Sequence, residues 1–271
     1  MTLEPPSLIA RGGVPPIPPY ASLVALLLTF LVNQSEISAQ RAPWHDLRSP
    51  NQGGDGLFGY SVSGVPDADG DGRGDVFVGA HSARPQGGPN DAGEAYLFSG
   101  NNGSLLHTFI SPNQQTSGEF GYAVSGVPDT DGDGMGDLLV GSFGENRAHL
   151  FSGKSGELLH SLISPIGLGD VNFGYSVAGV PDLDGDSRGD LIVGSLASEN
   201  RGAAYVYSGS SGMILYPLAS PNSMVSGLFG YSVSGIEDVD GDGRGDICTH
   251  SIRLSRCLSV SLENLFQMFR I

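Results

Sequence analysis

One five-residue phrase recurs four times and frames the rest of the chain: FGYSV at 58–62, FGYAV at 120–124, and FGYSV again at 173–177 and 229–233. Each copy runs into SGVPD, AGVPD or SGIED and then into an aspartate-rich loop. VFVGA, LLVGS or LIVGS follows in the first three units, and then GEAYLFSG (93–100), NRAHLFSG (146–153) or GAAYVYSG (202–209). The first two units close on LLHTFISP (105–112) and LLHSLISP (158–165). A chain that repeats itself at an interval of roughly fifty to sixty residues builds one supersecondary unit several times and buries each copy against its neighbours.

Each unit contains four short apolar-rich runs, in the first unit YSVSGV, DVFVGA, AYLFSG and LLHTFI. Their alternation and their β-branched and aromatic content predict strands, and the Gly, Asn, Asp and Ser clusters between them predict tight turns. One such sheet cannot bury both of its faces, so successive sheets are expected to stack as propeller blades do. The 42 glycines among 271 residues would suit disorder if scattered, but they fall regularly between apolar runs. The expected fold is all-β: four-stranded antiparallel propeller blades, about four repeats, within residues 40–247. Residues 44–57, WHDLRSPNQGGDGL, match the end of a unit, so a lone last strand precedes three full units and the start of a fourth. The pattern stops after Ile247, where CTH stands in place of VGA or VGS. Residues 248–271 read as a divergent tail. A short amphipathic helix at SLENLFQMF is the alternative to a degenerate end, and a short unsupported helix is marginal in water.

Four nine-residue segments carry the chemistry: DADGDGRGD, DTDGDGMGD, DLDGDSRGD and DVDGDGRGD. Each places aspartate at positions one, three, five and nine. These are Asp67, Asp69, Asp71 and Asp75; Asp129, Asp131, Asp133 and Asp137; Asp182, Asp184, Asp186 and Asp190; and Asp238, Asp240, Asp242 and Asp246. Calcium takes six to eight oxygens at roughly 2.3–2.6 Å, and a tight curl brings carboxylates at this spacing together. Glycine at positions four and six permits the curl, and the third loop has Ser187 at position six. Position seven is free to vary if only its carbonyl is used. Two carboxylates ~6 Å apart repel by roughly 3 kcal/mol at an effective dielectric of ~20, which a divalent cation relieves. The next residues are strand-like, and no glutamate stands at position twelve, so these are not EF-hands. Magnesium keeps its water and wants a stricter octahedron.

The net charge of −16 disfavours nucleic acid, since phosphate binding needs clustered Lys and Arg. Residues 1–39 form a leader whose apolar run, SLVALLLTFLV (22–32), precedes a candidate cleavage site at ISA-Q. The run suits a signal peptide, with an uncleaved anchor as the alternative, and either reading predicts a secreted or cell-surface protein. Cys248 and Cys257 read as incidental, with a disulfide open to them if the chain is exported.

FGYSV, the DxDGDGxxD loop and the following VGA or VGS, recurring in that order over about 44–247, resemble the FG-GAP repeat of integrin α-chain propellers. The resemblance implies a β-propeller with calcium in loops between strands of a blade, held by the sixteen aspartates named above. Propellers of that family usually have seven blades and this chain shows about four, so self-association, an open arc and a truncated product all fit.

RGD at 73–75, 188–190 and 244–246 suggests an integrin ligand, but each Asp is position nine of a loop and the second loop has MGD. No GxSxG, HExxH, P-loop or CxxC pattern is present, and an acidic set that recurs four times is a poor match for a unique catalytic pair. The sequence therefore predicts a non-enzymatic calcium-binding propeller module whose partner is calcium and an extracellular protein or glycan. An accessory or carbohydrate-binding module, or a fragment of a longer propeller protein, is the alternative.

Overall fold

The computed structural model describes residues 45–51, 54, 56–167, 172–196, 202–219, 228–251 and 254–260. The leader and SLENLFQMF lie outside them. Among the described residues no helix is long and apolar enough to cross a membrane.

Four antiparallel sheets follow one another along the chain. Blade 1 is β1 (Ser61–Val65), β2 (Asp75–Ala80), β3 (Glu94–Phe98) and β4 (Leu105–Ile110). Blade 2 is β5 (Phe120–Val127), β6 (Asp137–Ser142), β7 (Arg147–Phe151) and β8 (Leu158–Leu162), with a 3-10 turn at Phe143–Glu145. Blade 3 is β9 (Phe173–Val180), β10 (Asp190–Ser195), β11 (Ala203–Ser208) and β12 (Ile214–Ala219). Blade 4 has three strands, β13 (Ser232–Ile236), β14 (Asp246–Ser251) and β15 (Leu254–Val260). The four apolar runs per unit are thus the four strands of blades 1 to 3. In blade 4 the sheet continues to Val260, past Ile247 where the repeat pattern ends. Cys248 is disulfide-bonded, so it is not the incidental thiol that the sequence suggested.

The strands differ in burial because blades 2 and 3 are covered on both faces by their neighbours and are open at the rim. In blade 2 the strands β6 and β7 are buried almost throughout, whereas β8 is largely exposed or half-buried, with only Leu162 buried. Pro217 sits on the edge strand β12, where a missing amide costs no ladder bond on the open side. Packing runs from β1 to β5, from β5 to β9 and from β9 to β13. The apolar clusters lie between blades, as Phe77, Leu97 and Phe109 against Phe120, Val124 and Leu138, and as Leu139, Leu150 and Leu162 against Phe173, Val177 and Leu191. The blades stack in sequence order, and the described residues close no ring.

Polar contacts repeat at each step between blades. The hydroxyls of Tyr60, Tyr122 and Tyr175, from successive FGY phrases, form a ladder with O–O distances of 3.1 Å at both rungs. Tyr231 extends its ring stack, 5.5 Å from Tyr175. His107 and His160 reach the following blade's β-turn carbonyls, of Lys154 and Ser210, which accounts for their equivalent places in two repeats.

Candidate metal centres

Each loop is a curl tied by its own carboxylates. The position-one aspartate accepts backbone amides on both oxygens: Asp67 from Gly70 (2.7 Å) and Asp71 (3.2 Å) on one and Gly72 (2.8 Å) on the other, Asp129 from Gly132 (2.6 Å) and Gly134 (3.0 Å). Asp182 takes Gly185 and Ser187, and Asp238 takes Gly241 and Gly243. Position three accepts the amide of position five, and position five that of position seven, as in Asp131 with Asp133 and Asp133 with Met135. Positions four and six lie at positive φ, with Gly132 at 92° and Gly134 at 82°. Ser187 is held in the same left-handed region at 65°, a conformation that disfavours a residue with a Cβ.

The position-nine aspartate opens the next strand and is buried in all four loops. In the first loop Asp75 accepts the Ala68 amide on one oxygen and the Gly100 amide on the other. Asp137 takes Thr130 and Gly153, and Asp190 takes Leu183 and Gly209, in the same way. Asp246 takes the Val239 amide. Position nine therefore fastens the loop to the end of β3, β7 or β11, and it explains the glycine of FSG and YSG. A Cβ on Gly100 would lie 1.9 Å from the Gly74 carbonyl oxygen. Burial pushes the Asp137 carboxyl up to about 6 and that of Asp190 to about 7, and it raises Asp75 as well. Asp238 is lowered by the Gly243 and Gly241 amides it accepts. The RGD aspartates are these buried residues and are not displayed at the surface.

Carboxylate oxygens converge in every loop. The trios whose oxygens all lie within 4.8 Å of one another are Asp67, Asp69 and Asp71; Asp129, Asp131 and Asp137; Asp182, Asp184 and Asp190; and Asp238, Asp240 and Asp246. Asp75, Asp133, Asp186 and Asp242 fall outside these trios. Two oxygens sharing one calcium at roughly 2.3–2.6 Å stand at most about 5 Å apart, so the spacing fits. The donors are all hard oxygens, which suits calcium rather than a thiophilic metal.

Neighbouring loops are linked, which sequence reasoning missed. The Gly136 amide donates to the Asp67 carbonyl (2.9 Å), Gly189 to Asp129 (3.0 Å) and Gly245 to Asp182 (3.0 Å). The position-seven side chain also reaches back one blade. Met135 lies over Gly70, Arg188 pairs with Asp129, and Arg244 donates to the Leu183 carbonyl. Variation at position seven had pointed to a carbonyl alone, but a flexible side chain of either kind can cover the preceding loop.

Comparison with known proteins agrees with this geometry. The model of the FG-GAP repeat matches residues 58–98 and 173–207. The chain is 34% identical over 178 residues to integrin alpha-2 of Bos taurus, covering 58% of this chain and 15% of the relative. It is 36% identical over 166 residues to integrin alpha-IIb of Homo sapiens (55% and 15%), and 33% identical over 222 residues to integrin alpha-PS2 of Drosophila melanogaster (71% and 15%). The chain thus spans about 15% of the length of these relatives. With blades of this build and the repeat matched on two of them, the chain carries FG-GAP repeats and is similar to integrin α chains.

Proposed function

We propose that the protein is an exported, non-enzymatic propeller module for adhesion or protein–protein interaction, in which calcium is structural. The observation that carries this reading is the convergence of three carboxylates in each of four loops at a spacing one calcium can share. Asp67, Asp69 and Asp71 would hold the ion in the first loop, and positions one, three and nine in the others, with position five completing the set. Bound calcium would supply the positive charge that the gathered carboxylates lack. The chain's own part is to curl each loop by the amide bonds to position one and to anchor it through position nine, so that the ligands are gathered in advance.

Similarity to integrin α chains supports an adhesion role and a cell-surface or secreted location, with an extracellular protein as the partner. The apolar run of the leader supports export. So does the disulfide at Cys248, since such bonds persist in oxidising compartments.

Titration calorimetry and melting curves with calcium or a chelator test the reading. Heat of binding and a melting temperature raised by calcium are expected. No heat together with an unchanged melting temperature would refute it.

A further inference from the structure

Blades in this chain meet through glycines. Where blade 2 lies on blade 1, a Cβ built on Gly79 would stand 2.0 Å from the Gly121 carbonyl oxygen. The next two interfaces repeat this, with 2.1 Å from Gly141 to Gly174 and 2.1 Å from Gly194 to Gly230. A second close approach accompanies each: Gly126 on Gly64 (2.3 Å), Gly179 on Gly126 (2.6 Å) and Gly235 on Gly179 (2.2 Å). No residue with a Cβ fits at these places without moving backbone. Every interface thus has a trailing side, marked by the glycine of VGA or VGS, and a leading side, marked by the glycines of FGY and SGV.

The leading side of blade 1 has the same residues, and among the described residues nothing lies against them. Gly59 and Gly64 have no atom within 4 Å of a built Cβ. Val62 is 60% exposed, whereas its equivalents Val124 and Val177 are 9% and 8% exposed. Leu47 and Phe58 pack on Val78, Tyr96 and Phe98, so among the described residues the part of the face left open is the part that carries Val62 and the two glycines.

The trailing side of blade 4 is different. His250 pairs with Ser232 in the register in which Gly79 pairs with Ser61. It therefore puts a Cβ and an imidazole where the three internal interfaces admit only glycine. A further blade of this kind cannot seat there in the same register.

We propose that the leading face of blade 1 is a docking surface for the trailing face of an FG-GAP blade from another polypeptide, one with glycine at the position of Gly79. His250 keeps a second copy of this chain from supplying that blade. The occupant follows from three interfaces in the chain that already join these two kinds of face. The inference does not depend on calcium.

The test turns the chain into its own partner. His250→Gly should let copies stack blade 4 on blade 1, a head-to-tail contact that forms chains. The weight-average mass by analytical ultracentrifugation should rise with concentration by about twofold or more. Val62→Lys, an exposed change, should return the His250→Gly protein to monomer. His250→Ala should stay monomeric, because its Cβ alone blocks the approach. Wild-type protein should also be monomeric. A folded His250→Gly chain, checked by circular dichroism, that remains monomeric would overturn the proposal. So would equal association by His250→Ala, or wild-type association that Val62→Lys abolishes.

Discussion

The guanidinium of Arg188 lies 3.0 Å from the carboxylate of Asp129, so position seven of the third loop holds position one of the second. The contact uses the Oδ2 atom that also accepts the Gly134 amide. A cation entering the second loop meets a carboxylate already partly neutralised. Both side chains are partly exposed, so the pair is worth no more than about 1 kcal/mol. Arg188→Met, which copies Met135, is expected to lower metal-free stability by up to that amount and to tighten calcium in the second loop by about fivefold. Calorimetry on a background with Asp69, Asp184 and Asp240 each changed to Asn isolates that loop. Unchanged affinity would mean that Arg188 does not tune the site.

Positions three and nine of one loop both face the ion's place but are expected to differ in what they do for the metal-free fold. Asp131 is exposed and accepts a single amide, from Asp133. Asp131→Asn keeps that acceptor, so metal-free stability should stay within about 0.5 kcal/mol while calcium is lost from the second loop. Asp137 is buried and accepts the amides of Thr130 and Gly153 as well as the Thr130 hydroxyl. Asp137→Ala orphans these donors and should cost about 3 kcal/mol or more. Urea unfolding in chelator measures both, and equal losses would contradict the division.

The strands were legible because their apolar runs are bounded by turn residues and repeat in register, so a pattern unclear in one unit is fixed by the others. The acidic loops were legible as oxygen clusters for the same reason. The fastening role of position nine was not, because the partner of Asp75 is an amide 25 residues away, at Gly100, and depends on how β2 pairs with β3. Nor was the reach of position seven. Met135 and Arg188 share no chemistry, and what unites them is the preceding loop lying beneath. The sequence set CTH against VGA, but the paired register sets Thr249, His250 and Ser251 there, so only the structure puts His250 in the glycine's place. Its meaning needed the close approach of Gly121 to Gly79.

The tyrosine ladder predicts an alkaline limit. Burial, followed by its hydrogen bonds to Tyr175 and Tyr60, raises the Tyr122 hydroxyl above its ordinary value of about 10. The folded protein thus holds this proton where the unfolded chain releases it. The contribution to stability is complete below pH ~10 and is lost as pH rises beyond it. Tyr122→Phe removes the group and should flatten this fall, at a cost near neutrality of about 1 kcal/mol for the lost hydroxyl contacts. Unfolding free energies across the alkaline range check it. Parallel curves for the two proteins would assign the fall to other groups.

Ser187 offers the opposite sign. It holds a φ of 65° at a place where the other three loops have glycine, and its amide donates to Asp182 at 2.7 Å. A left-handed conformation costs an L-residue roughly 1–2 kcal/mol, and glycine avoids that while losing about 0.5–1 kcal/mol more backbone entropy on folding. The side chain is exposed, so Ser187→Gly removes no packing and leaves the amide bond in place. A net gain of about 0.5 kcal/mol is expected. Gly134→Ser, at the same position in the second loop, should lose a similar amount. The denaturant midpoints of the two variants should move in opposite directions with unchanged slope. Movement in the same direction would show that something other than the left-handed backbone decides the residue at position six.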